Sequence, residues 1–122
     1  MNQVLVVADS PILRIVVART LERIYLKPIP VRPDVAVTTL ASRRPSTVIF
    51  DAATDDEFLD PLLAELSRLR RGSQEVLPRV LMIEEPDQED LKPGFAGLVD
   101  ARIAKPITPD TLQPVIERLI GR

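Results

Sequence analysis

The sequence predicts an α/β fold, a three-layer, doubly wound sheet of five parallel strands, and three observations lead there. Short apolar runs without helical spacing recur along the 122 residues, at 3–7, 28–31, 47–51, 80–83 and 98–104. Segments between them carry apolar residues three and four apart, which is the helical period. The runs also close on polar residues: Asp9 after the first, Asp51 ending the third, Glu84 the fourth and Lys105 the fifth. Strict alternation of buried strands with helices means a parallel sheet covered on both faces. In such sheets, ligands and chemistry collect beyond the carboxyl ends of the strands.

Composition narrows the function classes. Apolar residues make up 45% and charged residues 28%, an ordinary globular balance. A chain of this length supports one core, so a single domain over 1–122 with no output domain is expected. A net charge of −2 gives no reason to expect nucleic acid as a partner. No apolar run reaches 18 residues and no basic-then-apolar leader is present, so no membrane partner and a cytoplasmic location are expected. The chain has no cysteine and no histidine. That excludes thiolate and Ser-His-Asp catalysis, His-ligated metals and a phosphohistidine on this chain. An aromatic content of 3% argues against a base-stacking surface.

The elements follow in order. Gln3 to Val7 (QVLVV) is the first strand. Ser10-Pro11 reads as an N-cap with proline at the first helical position, and Ile12, Leu13, Val16, Val17, Leu21 and Ile24 predict a helix over 11–26. The proline-rich stretch 27–33 allows only a short, edge-like strand at 28–31. Pro33 opens a weaker helix through Val35, Val37 and Leu40, stopped by Pro45. Thr47-Val48-Ile49-Phe50-Asp51 is a strand buried on both faces that ends on a carboxylate. After an acidic loop, a helix starts at Asp60-Pro61 or earlier at Asp55 or Asp56; it buries Leu62, Leu63, Leu66 and Leu69 and ends at Gly72. Its basic run Arg68, Arg70, Arg71 suits the end of a helix dipole. Val80-Leu81-Met82-Ile83 is the fourth strand. The stretch 86–94 is too polar and too broken for a regular helix, so the fourth helix is expected to be short or irregular. Residues 98–104 form the fifth strand, and Thr108-Pro109-Asp110 caps the last helix, with Pro114 inside it.

The polar strand ends converge on one edge of this sheet. Two carboxylates and a lysine there suggest a hard-cation site beside an acceptor carboxylate. Val-Ala-Asp9-Ser after the first strand, Val-Ile-Phe-Asp51 at the third, and Ala-Lys105-Pro106-Ile-Thr108 after the fifth resemble the receiver domain of two-component response regulators. The resemblance covers essentially the whole chain. It implies a CheY-like, flavodoxin-like sheet with strand order 2-1-3-4-5. It also implies a non-enzymatic signalling role, with Asp51 accepting a phosphoryl group from a partner's phosphohistidine and Lys105 bridging to the phosphoryl oxygens. Asp9, Asp51 and the Ala53 backbone carbonyl would hold Mg²⁺. The implied partners are a sensor histidine kinase or histidine phosphotransfer protein, and a downstream protein on the face of the fifth strand and last helices. A homodimer is a further partner option.

Three positions depart from that pattern. Ala8 replaces the first of two adjacent acids, which weakens the Mg²⁺ site. Glu84 stands where a Ser or Thr donates to the phosphoryl group; an ionised carboxylate accepts only and repels phosphate. Arg102 replaces an aromatic switch residue. The run Glu84 to Asp90 (EEPDQED) also carries five acids in seven residues. These changes make a phosphorylation-independent pseudo-receiver, an interaction or dimerisation module, the alternative. A haloacid-dehalogenase-type phosphatase would need an acid two residues after Asp51, where Ala53 stands. A flavin binder would need a hydroxyl-rich loop after the first strand and more aromatics than the chain holds.

Overall fold

A computed structural model describes residues 2–72 and 77–122. Among them, five parallel strands, β1 (Gln3–Val7), β2 (Lys27–Val31), β3 (Thr47–Asp51), β4 (Arg79–Glu84) and β5 (Ala101–Ala104), form one sheet. The strand order is β2-β1-β3-β4-β5, as expected. Four α-helices accompany them: α1 (Pro11–Arg23), α2 (Ala36–Arg43), α3 (Asp56–Arg71) and α4 (Pro109–Leu119). The β4-to-β5 connection holds only a single 3₁₀ turn at Pro93–Phe95, in line with an irregular fourth helix.

Alternation along the strands builds two cores. One face, with Leu5, Val7, Val48, Phe50, Val80 and Met82, packs against α2, α3 and the β4–β5 connection. The other, with Val4, Val6, Ile49, Leu81 and Ile83, packs against α1 and α4. Every residue of β3 is buried, as a central parallel strand requires. β2 tolerates two prolines because it is an edge strand. Lys27 faces β1, donating its N–H to the Asn2 carbonyl. With a period of two, Pro28 and Pro30 then turn their missing donors outward, where no ladder bond is lost.

Several boundaries differ from the sequence reading, each for a local reason. α1 stops at Arg23, three residues short of 26, because Tyr25 takes a left-handed φ of 65°. Ile12 fits the helical period yet lies 75% exposed, since it sits in the first turn beyond the reach of the sheet. Pro33 opens a 3₁₀ turn, and α2 proper buries Ala36 and Leu40 while Val35 is exposed. Asp55 is the N-cap of α3, so Pro61 lies inside the helix. Pro61 and Pro114 both sit on exposed faces, where water reaches the carbonyls they leave unbonded. Thr108 and Thr111 form a reciprocal capping box at the start of α4.

β5 begins at Ala101, not at 98, because Leu98 and Asp100 are used differently. Leu98 is buried against the α3 side, and its carbonyl accepts a hydrogen bond from Arg70. Asp100 accepts from the buried Val80 N–H at 2.8 Å through one oxygen and from Arg70 at 2.9 Å through the other. Arg70 is thus a tether between α3 and the start of β5, more than a solvated member of a basic run. Truncating Asp100 strands a buried backbone donor, which costs about 1–3 kcal/mol. We predict that Asp100→Ala lowers stability by about that amount in urea unfolding. Asp100→Asn, which keeps an acceptor for Val80, loses less.

Candidate functional site

The carboxyl ends of β1, β3, β4 and β5 line one edge of the sheet, and the charged residues meet there. Asp51 ends β3 with its side chain 9% exposed. One carboxylate oxygen accepts from the Ala53 N–H at 3.0 Å, a bond that closes the turn after the strand. The other accepts from the Lys105 ammonium at 3.1 Å. Lys105 comes from the residue after β5, whose backbone N–H still bonds to the Glu84 carbonyl at 2.8 Å. The long side chain therefore reaches across β4 to the acid on β3.

Lys105 has a second partner. Its ammonium also donates to Glu85 at 3.1 Å, so one cation is shared between two carboxylates. Burial is the largest single influence and pulls the amine down. Hydrogen bonds to Glu85 and Asp51, with their charges, outweigh it and hold the amine above its ordinary value of 10.5.

Glu84 turns the other way. It accepts from Arg102 at 2.7 Å, and Arg102 also reaches Asp90 at 3.4 Å. The register explains the separation. Asp51 lies opposite Ile83, and Ile83 opposite Ile103. Glu85 and Lys105 follow those two isoleucines by two residues and so stay on their face, the α1 and α4 side. Glu84 and Arg102 follow the alternate parity, on the side of Met82. Hydrogen bonding to Glu84 chiefly, with some from Asp90, raises the Arg102 guanidinium further above its already high value.

Asp9 and Ala53 line a shallow cavity of about 230 Å³ that continues from the Asp51 turn towards Asp55. Thr54, also lining it, has a buried hydroxyl without a hydrogen-bond partner among the described residues. Ala8 is fully buried and contributes only backbone. Its carbonyl and that of Asp9 accept from Arg14, at 2.6 and 3.0 Å. A guanidinium thus lies against the loop where the resembling family carries a second acid. Among the described residues no group of three acids or other metal-ligating side chains stands close enough to enclose a metal. The donor set that the resemblance implies, the carboxylates of Asp9 and Asp51 with the Ala53 carbonyl, would suit Mg²⁺, which takes one or two carboxylates and keeps several waters, better than a cation needing a full protein cage.

Sequence reading places Asp9, Asp51, Ala53 and Lys105 at the carboxyl edge of the sheet, where the structure also has them, and it does not single out Glu85 or Arg14. Strand parity is the signal that finds Glu85. Arg14 carries no comparable signal, since its contact depends on the loop's path. A larger cavity, about 780 Å³, opens at the opposite end of the sheet between α2 and α3. Its charged pair, Glu65 and Arg68, is already mutually bonded. Volume and chemistry point to different ends, and the shared lysine decides for the carboxyl edge.

The Lys105 pairing sets a pH dependence. A raised amine contributes stability that is complete below its ordinary value of 10.5 and is lost as pH climbs past its folded value. Lys105→Met also leaves the Asp51 carboxylate short of a donor, at a cost of about 1–3 kcal/mol. In thermal melts, wild type should exceed Lys105→Met at pH 7, and the gap should close above about pH 10.5.

No protein-family model matches the chain, and no curated protein does. Solved structures do. The chain is similar to a CheY-like response regulator receiver domain from Methylobacillus flagellatus, at 22% identity and TM-score 0.73, covering 96% of this chain and 97% of that one. It is similar to the signal receiver domain of a putative Luxo repressor protein from Vibrio parahaemolyticus, at 20% identity and TM-score 0.77, over 98% and 90%. The pseudo-receiver domain of the CikA protein matches at 19% identity and TM-score 0.70, over 98% of both chains. Sheet order, helix placement and these neighbours agree, and over nearly its whole length the chain has the CheY-like fold of response regulator receiver domains.

Proposed function

We propose that the chain is a single-domain receiver in two-component phosphorelay signalling, accepting a phosphoryl group on Asp51 and acting through protein contacts. One observation carries the reading: a nearly enclosed carboxylate at the end of the central strand, held by Lys105 from two strands away. Any buried carboxylate gains a donor from that cation, and an acceptor of phosphate needs in addition a positive charge able to follow the phosphoryl oxygens. The phosphoryl group would come from a phosphohistidine on a sensor histidine kinase or phosphotransfer protein. An Asp51 oxygen attacks phosphorus in line, the P–N bond breaks, and the donor ring, protonated beforehand, leaves as neutral imidazole. The Asp51 carboxyl ends as an acyl phosphate.

Two anions must approach for this step, so its barrier is largely electrostatic. Lys105 stays within reach of Asp51 and would follow the phosphoryl oxygens as charge moves onto them. The Ala53 N–H orients the carboxylate. Asp9, Asp51 and the Ala53 carbonyl would hold Mg²⁺, which when bound supplies positive charge to the phosphoryl oxygens. With Ala8 in place of an acid, that site is a weak one. The exposed strip of β5 and the face of α4 would meet a downstream protein or a second copy of this chain.

The second reading, a pseudo-receiver acting without phosphate, has its own support. Glu84 and Arg102 form an ion pair where the resembling family places a hydroxyl and an aromatic switch. One of the similar structures is itself a pseudo-receiver domain, that of the CikA protein.

Incubation with acetyl phosphate and Mg²⁺, followed by intact-mass measurement, separates the two. Wild type should gain the mass of one phosphoryl group and Asp51→Asn none. No gain, under conditions that phosphorylate a standard receiver, would leave the pseudo-receiver reading standing.

A further inference from the structure

We infer that Glu85 is a built-in competitor for Lys105, occupying the place a phosphoryl oxygen must take and setting how fast Asp51 reacts. The inference rests on the phosphoacceptor reading above. Its basis is the shared ammonium, with Lys105 at 3.1 Å from Asp51 on one side and 3.1 Å from Glu85 on the other. Asp51 and Glu85 are the two groups that bond this amine among the described residues.

A phosphoryl group arriving at Asp51 brings oxygens that carry negative charge and need a donor. The donor nearest to hand is Lys105, and Glu85 already holds one of its three N–H groups and screens its charge. Glu85 also places a carboxylate about as close to the amine as those oxygens must come. Like charges at that range oppose the step even at a surface dielectric. Glu85 is half-exposed, with its side chain at 47%, so it is free to swing into solvent. The reaction therefore proceeds once Glu85 yields, and the residue acts as a positioning group that keeps Lys105 engaged in the resting state.

Glu84, its neighbour, has no part in this. Its carboxylate is bonded to Arg102 on the other parity of the sheet. The adjacent acids at the end of β4 thus each take a base from the β5 side, with Lys105 neutralising one and Arg102 the other.

The step itself balances without a further reagent. With acetyl phosphate as donor, an Asp51 oxygen bonds to phosphorus and the bridging P–O bond of the donor breaks. Acetate leaves with the electron pair, and the total charge is unchanged.

The test compares wild type, Glu85→Ala, Glu85→Gln and Asp51→Asn. Phosphorylation by acetyl phosphate with Mg²⁺ is followed by intact mass at low and at high salt. Glu85→Gln keeps the side-chain size and an acceptor while removing the charge. Both Glu85 variants should react about tenfold faster than wild type at low salt, with the gap narrowing at high salt, and Asp51→Asn should not react. Equal rates for wild type and the two Glu85 variants would overturn the inference, as would a gap that salt leaves unchanged. If no variant gains a phosphoryl group from a donor that a standard receiver accepts, the phosphoacceptor reading fails, and the inference with it.

Discussion

The site depends on one constraint, the fixed two-residue alternation of a central strand buried on both faces. Because all of β3 is enclosed, Asp51 cannot turn to solvent without moving the sheet. An ionised carboxylate so placed needs donors, and it has two, a backbone N–H and an ammonium. Neither belongs to its own strand proper. One comes from the turn that follows and the other from beyond β5. Both are in range only because β3, β4 and β5 keep their register, with Asp51 opposite Ile83 and Ile83 opposite Ile103. A slip of one residue in β4 or β5 would exchange the faces and hand the site Glu84 or Ala104 in place of Glu85 or Lys105.

The same constraint explains what the sequence discloses and what it conceals. The buried runs of β1, β3 and β4 are legible because strands covered on both faces read as continuous apolar stretches. The caps Ser10 and Thr108 are legible because their chemistry is local, one hydroxyl meeting one N–H within three residues. Asp9, Asp51 and Lys105 are legible because strand ends mark them. Ile12 misleads, since helical spacing reports a face but not where the sheet stops. Residues 98–100 mislead, since an apolar and acidic lead-in resembles strand until Arg70 and Val80 claim its polar groups. Glu84 is the most instructive case. Resemblance points to it as the intruding acid, yet parity assigns that place to Glu85, and a pattern of alternation was available in the sequence to say so. Arg14 lay beyond reach because its hydrogen bonds depend on the fold of the β1–α1 loop.

The connection between β4 and β5 shows how much of this fold survives without an α-helix between those strands. Leu91, Phe95, Leu98 and Val99 still pack on the core. Ahead of the Arg70 tether, over residues 86–96, the polar ties are Lys92 to Asp60 at 2.7 Å and to Asp56 at 3.9 Å, and Arg102 to Asp90 at 3.4 Å, all largely exposed. Exposed pairs of this kind contribute at most about 1 kcal/mol each. The segment is therefore held by a few apolar contacts rather than by its charges or by a helical ladder. Such a segment opens at lower cost than the sheet it covers. Arg102 stands at the junction, anchored to Glu84 at the firm end of β4 and to Asp90 in the loosely held stretch.

Charge placement around Asp51 completes the picture. The resembling receivers carry a pair of acids after the first strand, on the metal side of the acceptor. Here Ala8 removes one of them, and Arg14 sets a guanidinium against the carbonyls of the same loop. On the opposite side, Glu85 adds an acid against Lys105. The two changes act in the same direction. On the proposed reading, a divalent ion would lose a ligand where positive charge is needed, and the ammonium would be partly neutralised where it would receive a phosphoryl oxygen. Nothing in the core has to alter for this, because both changes sit on loops at the ends of intact strands. With Asp51 as the proposed acceptor, a fold that keeps the carboxylate, the lysine and their register while engaging that lysine with a second acid would be biased towards its unmodified state by electrostatics.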